Sequence, residues 1–424
     1  MRILWLALLA LGASSPTFAA TSALKPLQPL IDATPDGGVL TPPAGIYSGP
    51  ATIDRPMTLD GANAVVISGE GVGTVLILTG RQITVERVTI ENSGARHENL
   101  DSCLRLDKAS FSVVRDNDLE GCLIGVDMRN AESNVVRRNR IHGTEPEFDV
   151  RGDAMRVWRS DDNRIENNVI IDHRDVLFEY SSHDKLIGNE IRGGRYGTHF
   201  MNSSDNLAKG NTYIFNTVGL FSMYSDGLCL VENRIMNANG PAGIGIGIKE
   251  ASGLMIENNE IFGNATGLYT DGSPFDPGSV NTFRGNRWAF NDLAIQFHAN
   301  NAGNVFERNT FSNNYSDVAA QGGVGATAAK WRGNFWDAYQ GFDRRGRGVG
   351  DTPFEIFAYA DQLWADVPMT SFYRGSPVFE TIDFLARLAP FSKPLLVLRD
   401  EEPATRPPSA PPLDCGSNDD ALAR

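Results

Sequence analysis

Residues 135–141 read Val135-Val136-Arg137-Arg138-Asn139-Arg140-Ile141. The phrase returns as Val113-Val114-Arg115-Asp116-Asn117-Asp118-Leu119, Ile165-Glu166-Asn167-Asn168-Val169-Ile170 and Leu186-Ile187-Gly188-Asn189-Glu190-Ile191. Its Asn recurs at 117, 139, 168, 189, 211, 233, 259, 286, 309 and 334, with 22 residues as the commonest spacing. That spacing, with occasional insertions, is one turn of an all-β, right-handed, three-sided parallel β-helix. Asn suits such a corner because it tolerates left-handed backbone angles and its amide can bond the Asn one coil away. Alternation around it, as in Val135, Asn139 and Ile141, fits strands that turn one side inward. Coils about 4.8 Å apart place the ten positions along roughly 45 Å of rod and make residues one period apart into neighbours. The Asn ladder is scaffold and implies no catalysis.

Residues 56–340 form the β-helix and 20–55 its N-terminal cap and first coil. Within the latter, 24–33 can form a short helical cap over the open strand edges. Residues 341–399 make a C-terminal segment, in which Ser376-Pro377 precede an amphipathic helix with Phe379, Ile382 and Leu385 on its apolar side. That helix caps the last coil, docks onto a partner, or does both. Residues 400–424 are rich in Pro, Asp and Ser and read as a disordered tail. The loop around Glu145–Asp149 is an insertion off the rod. At the other end, Arg2, the apolar run from Ile3 to Leu11 and the small residues up to Ala19 describe a secretory signal over 1–19.

A formal charge of −14 argues against a nucleic-acid partner, which requires a basic field. Forty-three Gly and 22 Pro disfavour long helices. Of the four cysteines, Cys103 and Cys122 can pair in an oxidising compartment, Cys229 reads as a core residue, and Cys415 lies in the tail. None has the spacing of a zinc site.

Aligning coils on the Asn brings four-residue windows together, among them Met155–Trp158, Leu177–Tyr180, Thr198–Met201 and Leu220–Met223. If the first and third columns face inward, Arg156/Trp158, Phe178/Tyr180, His199/Met201 and Phe221/Met223 point outward. Exposed aromatic and sulfur side chains in a row read as a contact surface, so Trp158, Phe178, Tyr180 and Phe221 are candidate partner-binding residues. The alternative is a loop or the C-terminal segment folded over them. Met201 and Met223 occupy one column in adjacent coils, with His199 two residues before Met201. Two thioethers and an imidazole suit Cu(I), although such a trio is more often plain packing.

The end of the repeat is more specific. Residues 333–353, Gly-Asn-Phe-Trp-Asp-Ala-Tyr-Gln-Gly-Phe-Asp-Arg-Arg-Gly-Arg-Gly-Val-Gly-Asp-Thr-Pro, resemble the closing motif of the NosD family. Ala360–Trp364, Phe372–Pro377 and Leu388–Pro394 resemble that family's C-terminal signature. The resemblance implies a periplasmic β-helix protein of nitrous oxide reductase maturation, not itself an enzyme. It implies an ABC-type permease with its ATPase, a copper chaperone and nitrous oxide reductase as partners, with transient Cu(I) as cargo and contact with the membrane only through the permease. Where many relatives carry an acidic stretch, this chain has Asp343-Arg344-Arg345-Gly346-Arg347-Gly348, and arginines do not ligate calcium. The alternative function is a secreted carbohydrate-active β-helix enzyme, a lyase, hydrolase or epimerase, but the candidate acids Asp153, Glu179, Asp226 and Asp271 scatter among columns instead of clustering.

Overall fold

The computed structural model describes residues 24–143, 150–299, 302–320, 326–358 and 395–415, with 376–378, 381, 384 and 385 between the last two stretches. The signal segment 1–19, the loop residues 145–149, Phe379, Ile382 and the last nine residues lie outside the described residues.

The repeat folds into the expected solenoid. In one coil the three strands are Lys185–Ile187, Glu190–Arg192 and Tyr196–Met201; in the next they are Leu207–Lys209, Thr212–Ile214 and Val218–Met223. Each strand pairs in parallel with its counterpart one coil away. The third strands form a single 12-stranded face. The first and second faces merge into one 25-stranded sheet, because the early strands Met57–Ser68 and Ile83–Glu91 run on around the corner.

Inward residues stack in register down the rod. One such file runs Ile165, Leu186, Ala208, Leu230, Ile256, Phe283, Phe306, Trp331. It changes from aliphatic to aromatic toward the C-terminus, where ring centroids are 4.4 Å apart for Phe283–Phe306 and 4.3 Å for Phe306–Trp331. Stacking flat rings at the coil spacing buries large apolar area with no change of backbone geometry.

The Asn ladder is continuous from Asn117 to Asn334. The backbone N–H and Nδ2–H of each Asn both donate to Oδ1 of the next, at 2.9–3.1 Å. The second Nδ2 hydrogen goes to a carbonyl of the coil behind, as from Asn189 to Ile165 at 2.9 Å. A buried amide is thereby satisfied on every side. The left-handed residue at this corner is not the ladder Asn but the one before it: Arg138, Asn167, Gly188 and Gly210 all have positive φ. The turn is made by the preceding residue, and the Asn is kept for its amide. Ser160, Ser181, Ser203 and Ser225 form a shorter hydroxyl ladder at another corner.

Both ends are covered. Gln28–Asp32 is a five-residue helix that, with Leu27 and Ile31 fully buried, closes the first coil. At the far end a strand pair joins the core, and most of the segment expected to form a helix lies outside the described residues. Phe354–Ala358 and Leu395–Asp400 pair antiparallel, and Val397 and Leu398 join the core beside Trp336. Leu385, expected to cap or dock, is 52% exposed.

The tail and the cysteines require a correction. Residues 400–415 are an ordered strap that runs back along the first face, and its Cys415 is bonded to Cys229. Cys229 therefore faces outward. Composition alone pointed to disorder because a Pro-rich stretch cannot form its own core, but here the rod supplies the partner groups. Cys103 and Cys122 are bonded to each other.

Candidate functional site

Outward side chains of the third face form two columns in register. Asp127, Arg156, Leu177, His199, Phe221, Gly247 and Tyr269 follow one another along the rod. Two residues further along each strand lie Arg129, Trp158, Glu179, Met201, Met223, Lys249 and Asp271.

Met201 and Met223 are thus register partners, and His199 shares their side of the sheet, as the spacing required. Phe178 is corrected: it is fully buried, against Phe200 at 5.1 Å. Its coil, Asn168 to Asn189, is one residue shorter than the commonest spacing, and a one-residue slip exchanges the two sides of a strand. Leu177 and Glu179 take the outward places instead.

Around His199 the surface is tightly built. Its ring lies 4.9 Å from Tyr196 and 5.9 Å from Phe221, and those two rings are 5.7 Å apart. Phe221 leans over the next coil, where a Cβ on Gly247 would sit 2.3 Å from its ring, so only glycine leaves that space. Burial holds the His199 pKa below its ordinary value, with Asp175 opposing and Arg195 reinforcing the effect. The imidazole is neutral at neutral pH, and its Nε2 is buried with no hydrogen-bond partner. His199, Met201 and Met223 share one side of the sheet, and imidazole and thioether are ligand types that suit soft ions.

Aromatic groups flank the two methionines. The guanidinium groups of Arg156 and Arg159 lie over the Trp158 ring, at 5.6 and 4.8 Å from its centre. Tyr180 and Tyr224 stand at the adjoining corner with φ of 51° and 52°, and they are 51% and 42% exposed. Bulky side chains are uncommon at such angles, so this corner carries aromatic groups where glycine or Asn would be less strained. Beyond Trp158, the fully buried Asp127 carboxylate takes Arg105 at 2.9 Å, Arg129 at 2.7 Å and Arg156 at 3.6 Å. Arg156 also reaches Glu179 at 3.3 Å.

Reading by residue type missed Tyr196 and Gly247. Tyr196 lies just outside the aligned window, and a glycine opposite an aromatic ring is recognisable only once the register is known. Elsewhere, His142 pairs with Asp172 at 3.7 Å, while His173 is buried with its pKa pushed down to about 3. Among the described residues no three His, Cys, Asp or Glu side chains converge on a metal-sized space.

Two family models match the chain: a periplasmic copper-binding protein, NosD, over residues 144–341, and a right-handed β-helix region over 59–184. A probable ABC transporter binding protein NosD of Pseudomonas aeruginosa is 29% identical over 437 aligned residues, covering 96% of each chain. Its namesake in Stutzerimonas stutzeri is 26% identical over 368, covering 83% of each. Among solved structures, the A-module of the mannuronan C-5 epimerase AlgE6 of Azotobacter vinelandii aligns with TM-score 0.55 and 14% identity, over 72% of this chain and 93% of that one. At that identity the likeness is one of fold.

Proposed function

We propose, from the premise that this chain belongs to the NosD family, that it is a periplasmic accessory protein that docks with an ABC-type permease and its ATPase and relays copper toward nitrous oxide reductase. The observation that carries the reading is that His199, whose Nε2 is buried without a partner, shares one side of the sheet with the register pair Met201 and Met223. Cu(I) is the cargo. Soft thioether and imidazole ligands hold it without the charge of thiolates, which favours transfer over storage.

The chain's own residues divide the work. Tyr196 and Phe221 fix the His199 ring and exclude water from it. Trp158, Tyr180 and Tyr224 offer flat, partly exposed rings to the copper donor or acceptor. On this reading contact with the bilayer runs through the permease; no helix among the described residues is long and apolar enough to cross a membrane. Phe379, Ile382 and Leu385 belong to the segment assigned to that contact, and the half-exposed Leu385 is available for it.

Competition with bicinchoninate for Cu(I) tests the site. Replacing His199, Met201 and Met223 together by Ala, Leu and Leu should weaken Cu(I) binding by at least tenfold with the fold intact. Unchanged affinity would assign the trio to packing. In cells, loss of the chain should leave nitrous oxide reductase exported but without its catalytic copper cluster; an active, fully metallated reductase would reject the role.

A further inference from the structure

We infer that Cys229, Cys415 and Met255 form a second Cu(I) site, made of three sulfurs, when the Cys229–Cys415 disulfide is reduced. The inference rests on the copper reading for its choice of metal, and on separate residues for its geometry.

Cys229 and Met255 open successive strands on the first face and are register partners, each with its side chain on the outer side. Neighbouring strands at about 4.8 Å bring a thioether within reach of the disulfide. Cys415 arrives from the strap, 6.0 Å from Cys229 between Cα atoms, and Leu207 bounds the group on the coil behind. Register and the disulfide thus put two cysteines and a methionine at neighbouring positions of two coils and the strap.

The two disulfides differ in access. Cys103 and Cys122 are buried in the core, whereas Cys229 and Cys415 are both partly exposed. Thiol–disulfide exchange needs a thiolate to approach a sulfur in line, so only the second pair is open to an incoming dithiol. The strap is also held there by contacts other than the disulfide. Asn258 Nδ2 and Arg284 Nη2 donate to the carbonyls of Pro411 and Pro412 at 2.9 Å, and Arg284 meets Asp414 at 2.8 Å. The N–H of Asp414 donates to Glu257 at 2.9 Å. These bonds keep Cys415 near Cys229 after the covalent bond is broken.

The chemistry balances. A protein dithiol gives two electrons and two protons to the disulfide, leaving two thiols here and a disulfide on the donor. Cu(I) then displaces both thiol protons and takes the Met255 thioether as a third, neutral ligand. Three-coordinate sulfur suits Cu(I) and excludes hard cations.

The test compares oxidised and mildly reduced full-length protein. Alkylation and mass spectrometry should find two new thiols, at Cys229 and Cys415, with Cys103–Cys122 intact. The reduced chain should withdraw one more Cu(I) from its bicinchoninate complex than the oxidised chain. Met255→Leu should weaken that extra site about tenfold, and Cys415→Ser should remove it. Thiols that appear only on unfolding, no additional copper, or an unaffected Met255→Leu protein would each overturn the site. The copper held by the oxidised chain reports separately on His199, Met201 and Met223, so failure of one site is not failure of the other.

Discussion

Asp184 stands where one of the corner ladders calls for an amide. Its Oδ1 accepts from the N–H and Nδ2–H of Asn163 at 2.8 and 3.1 Å, and its own N–H donates to Asn206 at 2.7 Å, as an Asn would. Oδ2 occupies the place of the missing Nδ2, buried and unpaired. Burial drives the pKa of this carboxyl well above the ordinary carboxylate range. The folded state therefore favours the protonated form. The stability that form supports is complete below the unfolded value near 3.9 and is lost as pH rises through the folded one. Asp184→Asn should then stabilise the protein at pH 8 by about 1–3 kcal/mol, with the gain shrinking toward pH 4. Thermal melts at the two pH values check this, and an equal shift at both, or a loss, would remove the argument.

The long ladder ends where no further Asn supplies an acceptor, and a carboxylate takes that place. Asp400 Oδ2 accepts from the N–H and Nδ2–H of Asn334 at 3.1 and 2.9 Å and from Trp336 Nε1 at 3.3 Å. Asp400→Ala would strand three buried donors and cost about 2–4 kcal/mol, whereas Asp400→Asn retains an acceptor and should cost under about 1 kcal/mol. Chemical denaturation followed by Trp fluorescence separates them; equal losses would show that Asp400 acts through packing alone. The ladder itself was legible because a buried amide repeats at the coil period, and Met201 with Met223 followed from the same arithmetic. Its terminator was not legible, since Asp400 lies 66 residues beyond Asn334 and outside the repeat. Phe178 was misplaced by a coil shortened within a turn, where no residue type marks the change. Cys229 looked like core because an outward cysteine and an inward one sit in the same kind of apolar strand.

Over the whole molecule, each coil touches only the coils before and after it, so cooperativity along a solenoid is a sum of nearest-neighbour terms. The strap breaks that rule. It leaves the last coil at Ala404, whose N–H donates to Asn334, and reaches Cys229 several coils back, bonded along the way by Arg332, Arg308 and Arg284. Those ion pairs and carbonyl contacts are mostly exposed and worth little singly. The disulfide, closing a separation of 186 residues, is what makes the C-terminal coils unfold as one with their neighbours. Cys229→Ser should lower the stability of that third of the rod by about 2–4 kcal/mol. Trp288, Trp331 and Trp336 all lie there and are buried, so their fluorescence should change at lower denaturant than the far-ultraviolet β signal of the whole rod. In the unaltered protein the two curves should coincide. Curves that also stay superimposed in Cys229→Ser would mean that stacked aromatic rings, not the strap, carry cooperativity through the last coils.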